Sequence, residues 1–287
     1  MHSPGSAMRV LVSSAKGANG NGYGTVLAFD LAGHPLGTFS ADSRITDPRG
    51  LCVTPRGDLL HANSGDNRIV AVDRAGRIVR DTGPIDGLDP GGGVFGPDGR
   101  YYVGSRRLRT VMALPASLDG PALPFLAPDV VPFPRGFAFA ADGRGYLASG
   151  IGPTGDGENT IKVFDAGGQV VVPRLVDDPQ LSPLDLTLAP NGNVVVSSEW
   201  PFGAEDASTS VREYDGTSGR LVRIFKPDGP VRFRNPRGLR FGPDGNLYCV
   251  ARDEVVGFDF GTGSYAGAIV RLSSLFGQAV EFFGSVA

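Results

Sequence analysis

Short apolar runs separated by turn residues recur along the whole chain, and no stretch of helical length shows apolar residues at a period near 3.6. In one representative stretch the apolar runs cover 50–53, 59–63, 69–73 and 77–80. Runs of this length bounded by Pro, Gly, Asn and Asp are typical of β-strands joined by hairpins. The pattern therefore predicts units of four short antiparallel strands.

A proline opens the first strand of five units, and a glycine marks the first hairpin nine residues later. The anchor prolines are Pro48, Pro90, Pro134, Pro183 and Pro236, and the turn glycines are Gly57, Gly99, Gly143, Gly192 and Gly245. A period of about 40–50 residues is typical of propellers and other repeat architectures. Four antiparallel strands per unit, arranged radially, form the blades of a β-propeller.

The first strand is missing from the first unit, and the end of the chain can supply it. The third strand recurs six times, whereas the Pro-anchored first strand recurs five times, and 277–282 aligns with 236–241. Pairing this terminal strand with 8–14 would close the ring, so that no strand edge is left unpaired where the two ends of the chain meet. We predict an all-β, six-bladed β-propeller closed by a C-terminal strand. The predicted domain is 8–287, after a tail at 1–7, with blades at approximately 8–40 plus 277–283, 47–82, 89–127, 133–176, 182–226 and 235–272.

Composition and charge narrow the class of protein. The 43 Gly and 23 Pro residues fall at periodic turns, which argues against a low-complexity chain. No apolar run reaches the length of a membrane span, and a net charge of −3 argues against general nucleic-acid binding. Cys52 and Cys249 fall in non-adjacent blades, where we expect small buried hydrophobes rather than a disulfide. We expect a cytoplasmic monomer with no nucleic-acid or membrane partner.

The residue after each anchor proline is expected to line one mouth of the central channel, since all first strands start on the same face. Around the ring these residues are Gln278, Arg49, Gly91, Arg135, Leu184 and Arg237. Three arginines thus occupy alternate blades, and arginine suits bidentate binding of carboxylate or phosphate. One interpretation is an anion-binding mouth. The other is a set of structural ion pairs with neighbouring blades.

Two carboxylates near this mouth are the candidate catalytic residues. Asp185 replaces the Gly or Ala found at its position in the other blades, and Glu199 precedes Trp200 in a long loop. Asp185 is interpreted either as a general base or as the ion-pair partner of Arg135 and Arg237, which would lower its pKa. Trp200 and Glu199 either form a surface that contacts the substrate, here called the substrate wall, or belong to a loop that packs on itself with Trp200 covering the top of the blade.

Small polar residues end the second strands, fourteen positions after the ring residue. They include Asn63, Ser105, Ser149 and Ser198, with Ser13 as the apparent equivalent in the first blade. Asn63, Ser149 and Ser198 are candidate ligand-binding residues. The alternative is that they cap the loop that follows, which is a common role of Ser and Asn.

The blade pattern resembles the NHL-repeat family, with Pro-x-Gly-apolar, Pro-Asp-Gly and an Asn-Arg-Ile element at Asn67-Arg68-Ile69. The gluconolactonase and senescence-marker-protein propellers are related to it. That resemblance implies a divalent metal bound by Glu, Asn and Asp at the inner-strand starts. The matching positions here carry no carboxylate and three arginines, which would repel a cation. The sequence therefore predicts no metal and no cofactor.

The streptogramin-lyase propellers, which use histidine near the channel, are a further comparison. This chain has His2 in its first residues, His34 at a turn and His61 in a strand, where other blades carry Leu, Val or Cys. We expect His61 to be a buried core residue with its hydrogen bonds satisfied.

These observations favour a metal-independent enzyme of hydrolase, lyase or cyclase type that acts on a small anionic molecule at the channel mouth. The alternative is a non-catalytic propeller that binds a peptide or metabolite on the same face. A third hypothesis is a metal-dependent lactonase with an off-axis site formed by Asp185, Glu199 and Asn63.

Overall fold

The computed structural model describes residues 8–15, 24–152, 155–201, 208–228, 233–252, 254–271 and 277–284. These residues form 24 strands in six four-stranded antiparallel sheets, with no helix among them. The fold is a six-bladed β-propeller, as the repeats predict. The expected tail at 1–7 lies outside the described residues, as does most of the loop that follows the first strand.

The strands follow the chain blade by blade. The first blade holds β1 (Arg9–Ser14), β2 (Thr25–Phe29) and β3 (Pro35–Ser40). The second holds β4 (Pro48–Val53), β5 (Leu59–Asn63), β6 (Arg68–Val72) and β7 (Ile78–Asp81). The third holds β8 (Pro90–Phe95), β9 (Tyr101–Ser105), β10 (Thr110–Leu114) and β11 (Leu123–Pro124). The fourth holds β12 (Pro134–Phe139), β13 (Gly145–Ile151), β14 (Gly157–Phe164) and β15 (Val170–Val172). The fifth holds β16 (Pro183–Leu188), β17 (Val194–Trp200), β18 (Ser208–Tyr214) and β19 (Leu221–Phe225). The sixth holds β20 (Leu239–Phe241), β21 (Leu247–Ala251), β22 (Glu254–Phe258) and β23 (Tyr265–Arg271), and β24 (Gly277–Phe283) ends the series.

The C-terminal strand closes the ring. β24 pairs antiparallel with β1, with Val12 opposite Val280, and becomes the innermost strand of the first blade. This prediction is confirmed. The register also corrects one detail of the predicted alignment. Ser14 lies opposite Gly277, the first residue of β24, just as Asn63 lies opposite Pro48, the first residue of β4. Ser14, rather than Ser13, is the first-blade equivalent of Asn63.

The turns explain why the repeat is so regular. All five hairpin glycines have φ between 78° and 87°, a conformation that disfavours side chains with a Cβ. The aspartate after the third strand holds the next turn with its carboxylate. Asp73 Oδ1, for example, accepts hydrogen bonds from the backbone N–H groups of Ala75 at 2.9 Å and Arg77 at 3.0 Å.

The hydrophobic core lies between blades. Within the described residues, six buried apolar clusters each join two neighbouring blades. Leu60 and Ala62 of the second blade, for example, belong to the same cluster as Tyr101 and Val103 of the third. Both cysteines are free thiols; Cys249 is fully buried, as expected, whereas Cys52 is half-buried.

The innermost strands approach each other at backbone contact. An ideal Cβ on Gly238 would lie 2.8 Å from Ala279 Cα, and one on Gly50 would lie 2.9 Å from Gly92 Cα. Real Cβ atoms do not come this close without displacing a neighbour. The small residues that directly follow the ring residues, such as Gly50, Gly238 and Ala279, therefore keep the central channel narrow.

Candidate functional site

The central cavity lies where the six innermost strands begin. It has a volume of about 60 Å³, room for a few water-sized groups. All six predicted ring residues line it, namely Arg49, Gly91, Arg135, Leu184, Arg237 and Gln278. Further down, the wall includes Asp185 and Arg240. We call the level of the ring residues the mouth and the level of Arg240 the floor.

Two arginines at the mouth are paired with an aspartate of their own blade. Arg49 Nε and Nη2 both lie 2.8 Å from Asp47 Oδ2. Arg106, which follows β9 and also lines the cavity, contacts Asp89 Oδ1 and donates to Ser64 Oγ at 2.9 Å. Asp47 and Asp89 each stand directly before the anchor proline. Arg106 is a mouth residue that sequence reasoning missed.

Arg135 lies in a different environment. Its guanidinium carbon stacks 4.4 Å from the centroid of the Phe133 ring. Burial lowers the pKa of Arg135 to about 9, with further lowering by the positive charges of Arg237 and Arg49, while Glu199 acts in the opposite direction. These mutual effects show that the three ring arginines converge on one region, as predicted.

The side-chain amide of Asn235 connects Arg237 to Glu199. Arg237 Nε donates to Asn235 Oδ1, and Asn235 Nδ2 donates to Glu199 Oε2 at 3.1 Å. Burial, followed by repulsion from Arg49, lowers the pKa of Arg237, and Glu199 opposes that effect. Glu199 is 5% exposed. It therefore contributes a shielded negative charge beside two of the three ring arginines.

Arg240 spans the floor of the cavity and joins four blades. Its Nε lies 3.2 Å from Glu281 Oε2 of the first blade, and its Nη2 donates to the Leu51 carbonyl of the second at 3.0 Å. Its Nη1 donates to the Leu239 carbonyl at 2.7 Å and lies 3.9 Å from Asp185 Oδ2 of the fifth blade. Burial lowers the pKa of Arg240, but Glu281 and Asp185 outweigh it and the pKa is raised.

Asp185 belongs to the floor and not to the arginine ring. Its Oδ1 accepts from Leu186 N and its Oδ2 from Leu239 N, both at 2.9 Å. Burial raises the pKa of Asp185, although Arg240 and the two backbone N–H groups act against the rise. The expected pairing with Arg135 and Arg237, and the lowered pKa it implied, are therefore corrected: the charged partner is Arg240, and desolvation dominates.

The polar residues that end the second strands are fully buried. Asn63 Nδ2 donates to the Arg44 carbonyl at 3.2 Å, and Ser198 Oγ accepts from Ser182 N at 3.0 Å. Ser149 is equally buried. None of these three lines the central cavity among the residues the structure describes. Their role as ligand-binding residues stays a prediction.

Trp200 ends β17 and is half-buried, opposite Ser208 in the sheet. The loop that follows it at 202–207 lies outside the described residues, so the substrate-wall hypothesis stays a prediction. The glycine-rich segment at 16–23 also lies outside them.

The two histidines among the described residues, His34 and His61, do not line the central cavity. His34 is exposed, with Nδ1 2.9 Å from Asp30 Oδ2 in a turn. His61 is fully buried, and neither of its ring nitrogens has a hydrogen-bond partner. The expectation that its hydrogen bonds are satisfied is therefore wrong. Burial lowers the pKa of His61 to about 3.

The residues of the channel do not fit the divalent metal that gluconolactonase-like propellers suggest. Within the described residues, no three His, Cys, Asp or Glu side chains are grouped as a metal site requires. The mouth presents guanidinium groups, whereas hard cations require anionic oxygen ligands. Asp185 and Glu199 are engaged at the floor and at the mouth respectively.

Comparisons with known proteins support the fold. No family model and no curated protein matches the chain. Solved structures do: a chain of a nidogen–laminin complex has a TM-score of 0.75 at 11% identity, covering 98% of this chain and 100% of that one. A gluconolactonase from Xanthomonas campestris has a TM-score of 0.60 at 19% identity, covering 80% and 76%. Virginiamycin B lyase from Staphylococcus aureus has a TM-score of 0.53 at 15% identity, covering 84% and 70%.

These likenesses confirm the predicted resemblance at the level of the propeller fold. At such identities they leave the activity to be argued from the site, because one fold supports many functions. In the part of the chain that the structure describes, no helix is long and apolar enough to cross a membrane.

Proposed function

We propose that the protein is an enzyme of hydrolase, lyase or cyclase type that acts on a small anionic molecule bound at the mouth of the central cavity. Arg49, Arg135 and Arg237 bind the anion, and the Gln278 side chain, 6% exposed, completes the ring as a neutral polar group. The chemistry uses the protein's own side chains.

The convergence of three arginines on one small cavity supports this proposal. Burying a guanidinium and placing it near two others is unfavourable, as the lowered pKa values of Arg135 and Arg237 show. A bound anion would relieve that repulsion and form charge-assisted hydrogen bonds with the guanidinium groups. A cluster that is unfavourable when empty and favourable when occupied is typical of a binding site.

Two carboxylates are available for proton transfer. Asp185 lines the cavity below the anion site, and its raised pKa brings it closer to the range in which a carboxyl group exchanges a proton at neutral pH. Glu199 lies beside Arg135 and Arg237 and is fixed by Asn235. The proposal assigns the proton-transfer role to one of these two residues.

A non-catalytic binding protein is the second candidate, and one observation favours it. Both oxygens of Asp185 accept backbone N–H groups, which is the environment of a structural carboxylate. In this alternative the mouth binds an anionic group of a metabolite or peptide and releases it unchanged.

The first experiment measures binding of propionate and inorganic phosphate by calorimetry to the wild type, Arg135→Ala and Arg237→Ala. Losing one charge-assisted contact should weaken the binding of the preferred anion by about 10- to 100-fold. Arg77→Ala is the matched control, because Arg77 lies in an exposed turn on the opposite face. Unchanged affinity in both mouth variants would overturn the proposal.

The second experiment separates enzyme from binding protein. A mixture of small anionic metabolites is incubated with the wild type, Asp185→Asn and Glu199→Gln, and products are followed by mass spectrometry. The enzyme proposal expects a product with the wild type that one of the two variants fails to form while still binding the anion. Binding without any product would favour the non-catalytic alternative.

A further inference from the structure

The three uncharged ring residues occupy alternate blades of the propeller. Gln278 belongs to the first blade, Gly91 to the third and Leu184 to the fifth, and each lies between two blades whose ring residue is an arginine. All three line the central cavity. One is a hydrogen-bonding amide, one is bare backbone and one is an apolar side chain. The ring therefore presents three different surfaces to a ligand on the channel axis.

Gln278 carries an amide that the fold leaves unused. The residue is 6% exposed, and its backbone carbonyl accepts a hydrogen bond from Gly238 N at 3.2 Å. Among the described residues, however, its side-chain amide has no hydrogen-bond partner. A buried amide normally has at least one partner. The donor and the acceptor of this amide are therefore available to a ligand in the cavity, and a hydroxyl group can satisfy both.

The third blade leaves its sector of the cavity open. The heavy atom nearest to an ideal Cβ on Gly91 is Gly104 O at 3.8 Å, and an ideal Cβ on Gly92 has nothing within 4 Å. Neither glycine has a positive φ. Gly50 and Gly136, by contrast, are required by close contacts with the next blade. Neither backbone conformation nor packing accounts for the missing side chains at 91 and 92, so this sector provides room for a ligand.

The fifth blade closes its sector with Leu184. This residue is 8% exposed, yet it belongs to none of the six apolar clusters that the described residues form, whereas Leu186 does. Its side chain therefore faces the channel rather than the core between blades. It offers no hydrogen bond and fills its sector, so a polar group or a bulky group is unfavourable there.

We propose that the ligand is a small 2-hydroxy carboxylate, and that the three uncharged ring residues select one of its enantiomers. This inference rests on the proposed function, since the ring arginines hold the carboxylate. The other three bonds of the adjoining carbon then diverge in three evenly spaced directions, as alternate blades of a six-bladed ring do. The hydroxyl group contacts Gln278, the carbon chain extends over Gly91, and the hydrogen atom faces Leu184.

The opposite enantiomer is disfavoured in either orientation. With its hydroxyl group on Gln278, its carbon chain is directed against Leu184 and overpacks that sector. With its chain over Gly91, its hydroxyl group is buried against Leu184 without a partner. Selection therefore comes from the mismatch as well as from the matching contacts.

Calorimetry with the two enantiomers of lactate and with propionate tests the inference. Propionate lacks only the hydroxyl group. We expect one lactate enantiomer to bind at least about tenfold more tightly than the other enantiomer and than propionate, because an unpaired hydroxyl group in a buried site costs about this much. Gln278→Met removes the amide and should bring all three affinities close together.

Two further variants change the open sector. Gly91→Ala, which the fold can accommodate, should weaken the binding of 2-hydroxybutyrate more than that of lactate, because the added methyl group lies in the path of the longer chain. Gly91→Leu combined with Leu184→Gly exchanges the open and closed sectors and should reverse the enantiomer preference. Gly167→Ala is the matched control, since Gly167 lies in an exposed turn on the opposite face where the second blade carries Ala75. It should leave every affinity unchanged.

The outcomes distinguish this inference from the proposed function. Equal binding of the two lactate enantiomers, with loss in Arg237→Ala, would overturn enantiomer selection and leave the anion site standing. A preference that persists in Gln278→Met, or that the double variant does not reverse, would also overturn the inference. If the double variant does not fold, equal weakening of lactate and 2-hydroxybutyrate by Gly91→Ala would overturn it instead. Absence of binding by every anion would overturn both.

Discussion

Asp185 Oδ1 of the fifth blade occupies the space beside Gly136 of the fourth, where an ideal Cβ on Gly136 would lie 1.8 Å from it. The same Cβ would lie 2.7 Å from Asp185 Cα, so the backbone of β16 is also in the way. The one carboxylate at this position of the innermost strands is therefore accommodated by a glycine in the neighbouring blade. This contact fixes Asp185 beneath the mouth.

Gly136→Ala should consequently destabilise the fold and displace Asp185. Overpacking of a dense region costs about 1–3 kcal/mol, to be measured by urea unfolding. Gly92→Ala is the matched control, since Gly92 holds the corresponding position in the third blade with nothing within 4 Å of its ideal Cβ. It should change the free energy of unfolding by less than about 0.5 kcal/mol. Equal effects of the two variants would show that the contact with Asp185 is unimportant.

Arg240→Met should be among the most destabilising substitutions in the channel. The change keeps an unbranched apolar stem but removes the guanidinium group, which leaves Glu281 and Asp185, 15% and 19% exposed, without their cation. Breaking a buried ion pair in this way costs about 3–5 kcal/mol. Adding Glu281→Gln should recover part of that loss in a double-mutant cycle. A loss below about 1 kcal/mol would contradict the account of the floor.

His61→Leu should stabilise the protein at pH 7. The ring nitrogens of His61 are buried without partners, and Leu147 occupies the corresponding position in the fourth blade. Removing such a group is expected to gain about 1–3 kcal/mol in the free energy of unfolding.

The pH dependence of His61 has a defined sign. Its pKa in the folded state, about 3, lies below the ordinary value of 6.5, so below pH 6.5 the unfolded chain takes up a proton that the native protein does not. Wild-type stability should therefore fall by up to about 1.4 kcal/mol per pH unit between pH 6 and 4 relative to His61→Leu. Parallel pH profiles for the two proteins would contradict this prediction.

Asp185→Asn should show the opposite trend. Because burial raises the pKa of Asp185 above 3.8, the native protein favours the protonated carboxyl group. The stability contributed by that proton is present below pH 3.8 and is lost as the pH rises through the raised pKa. The free energy of unfolding of Asp185→Asn relative to wild type should therefore increase with pH across this range and then become constant.

Asp42→Asn is a control for Asp185→Asn, because the pH dependence of its stability effect should have the opposite sign. The hydrogen bond to the Arg44 side chain lowers the pKa of Asp42 to about 2, and the pair lies at the surface. Its contribution is present above pH 3.8 and is lost as the pH falls towards 2. The effect of Asp42→Asn should stay below about 1 kcal/mol, since water screens the pair. The same pH trend in both variants would contradict the assignment for Asp185.

The architecture could be predicted from the sequence because each blade repeats the same turn chemistry. Pro48 and its four equivalents, the hairpin glycines and the aspartates such as Asp73 mark strand ends at fixed spacing. The register at the ring closure was harder, since β24 begins without a proline. The shift between Ser13 and Ser14 in its pairing with β1 moves the equivalence by one residue.

The mouth was predicted better than the floor. Arg49, Arg135 and Arg237 follow the anchor prolines, so their convergence could be read from the repeat. Arg240 and Glu281 were missed, although both stand three positions after a ring residue, where the middle blades carry Cys52, Val94, Ala138 and Thr187. Opposite charges at this position in adjacent blades were the available signal. The raised pKa of Asp185 could not be predicted, because it depends on burial and on which arginine reaches the carboxylate.

The central claim is that guanidinium groups at the mouth bind an anion, and a crystal structure grown with propionate and calcium chloride tests it most directly. We expect a planar carboxylate within hydrogen-bond distance of Arg135 and Arg237, above an intact Arg240–Glu281 pair, with no calcium in the channel. Calcium in the central channel, or Arg135 and Arg237 turned away from an empty mouth, would contradict it.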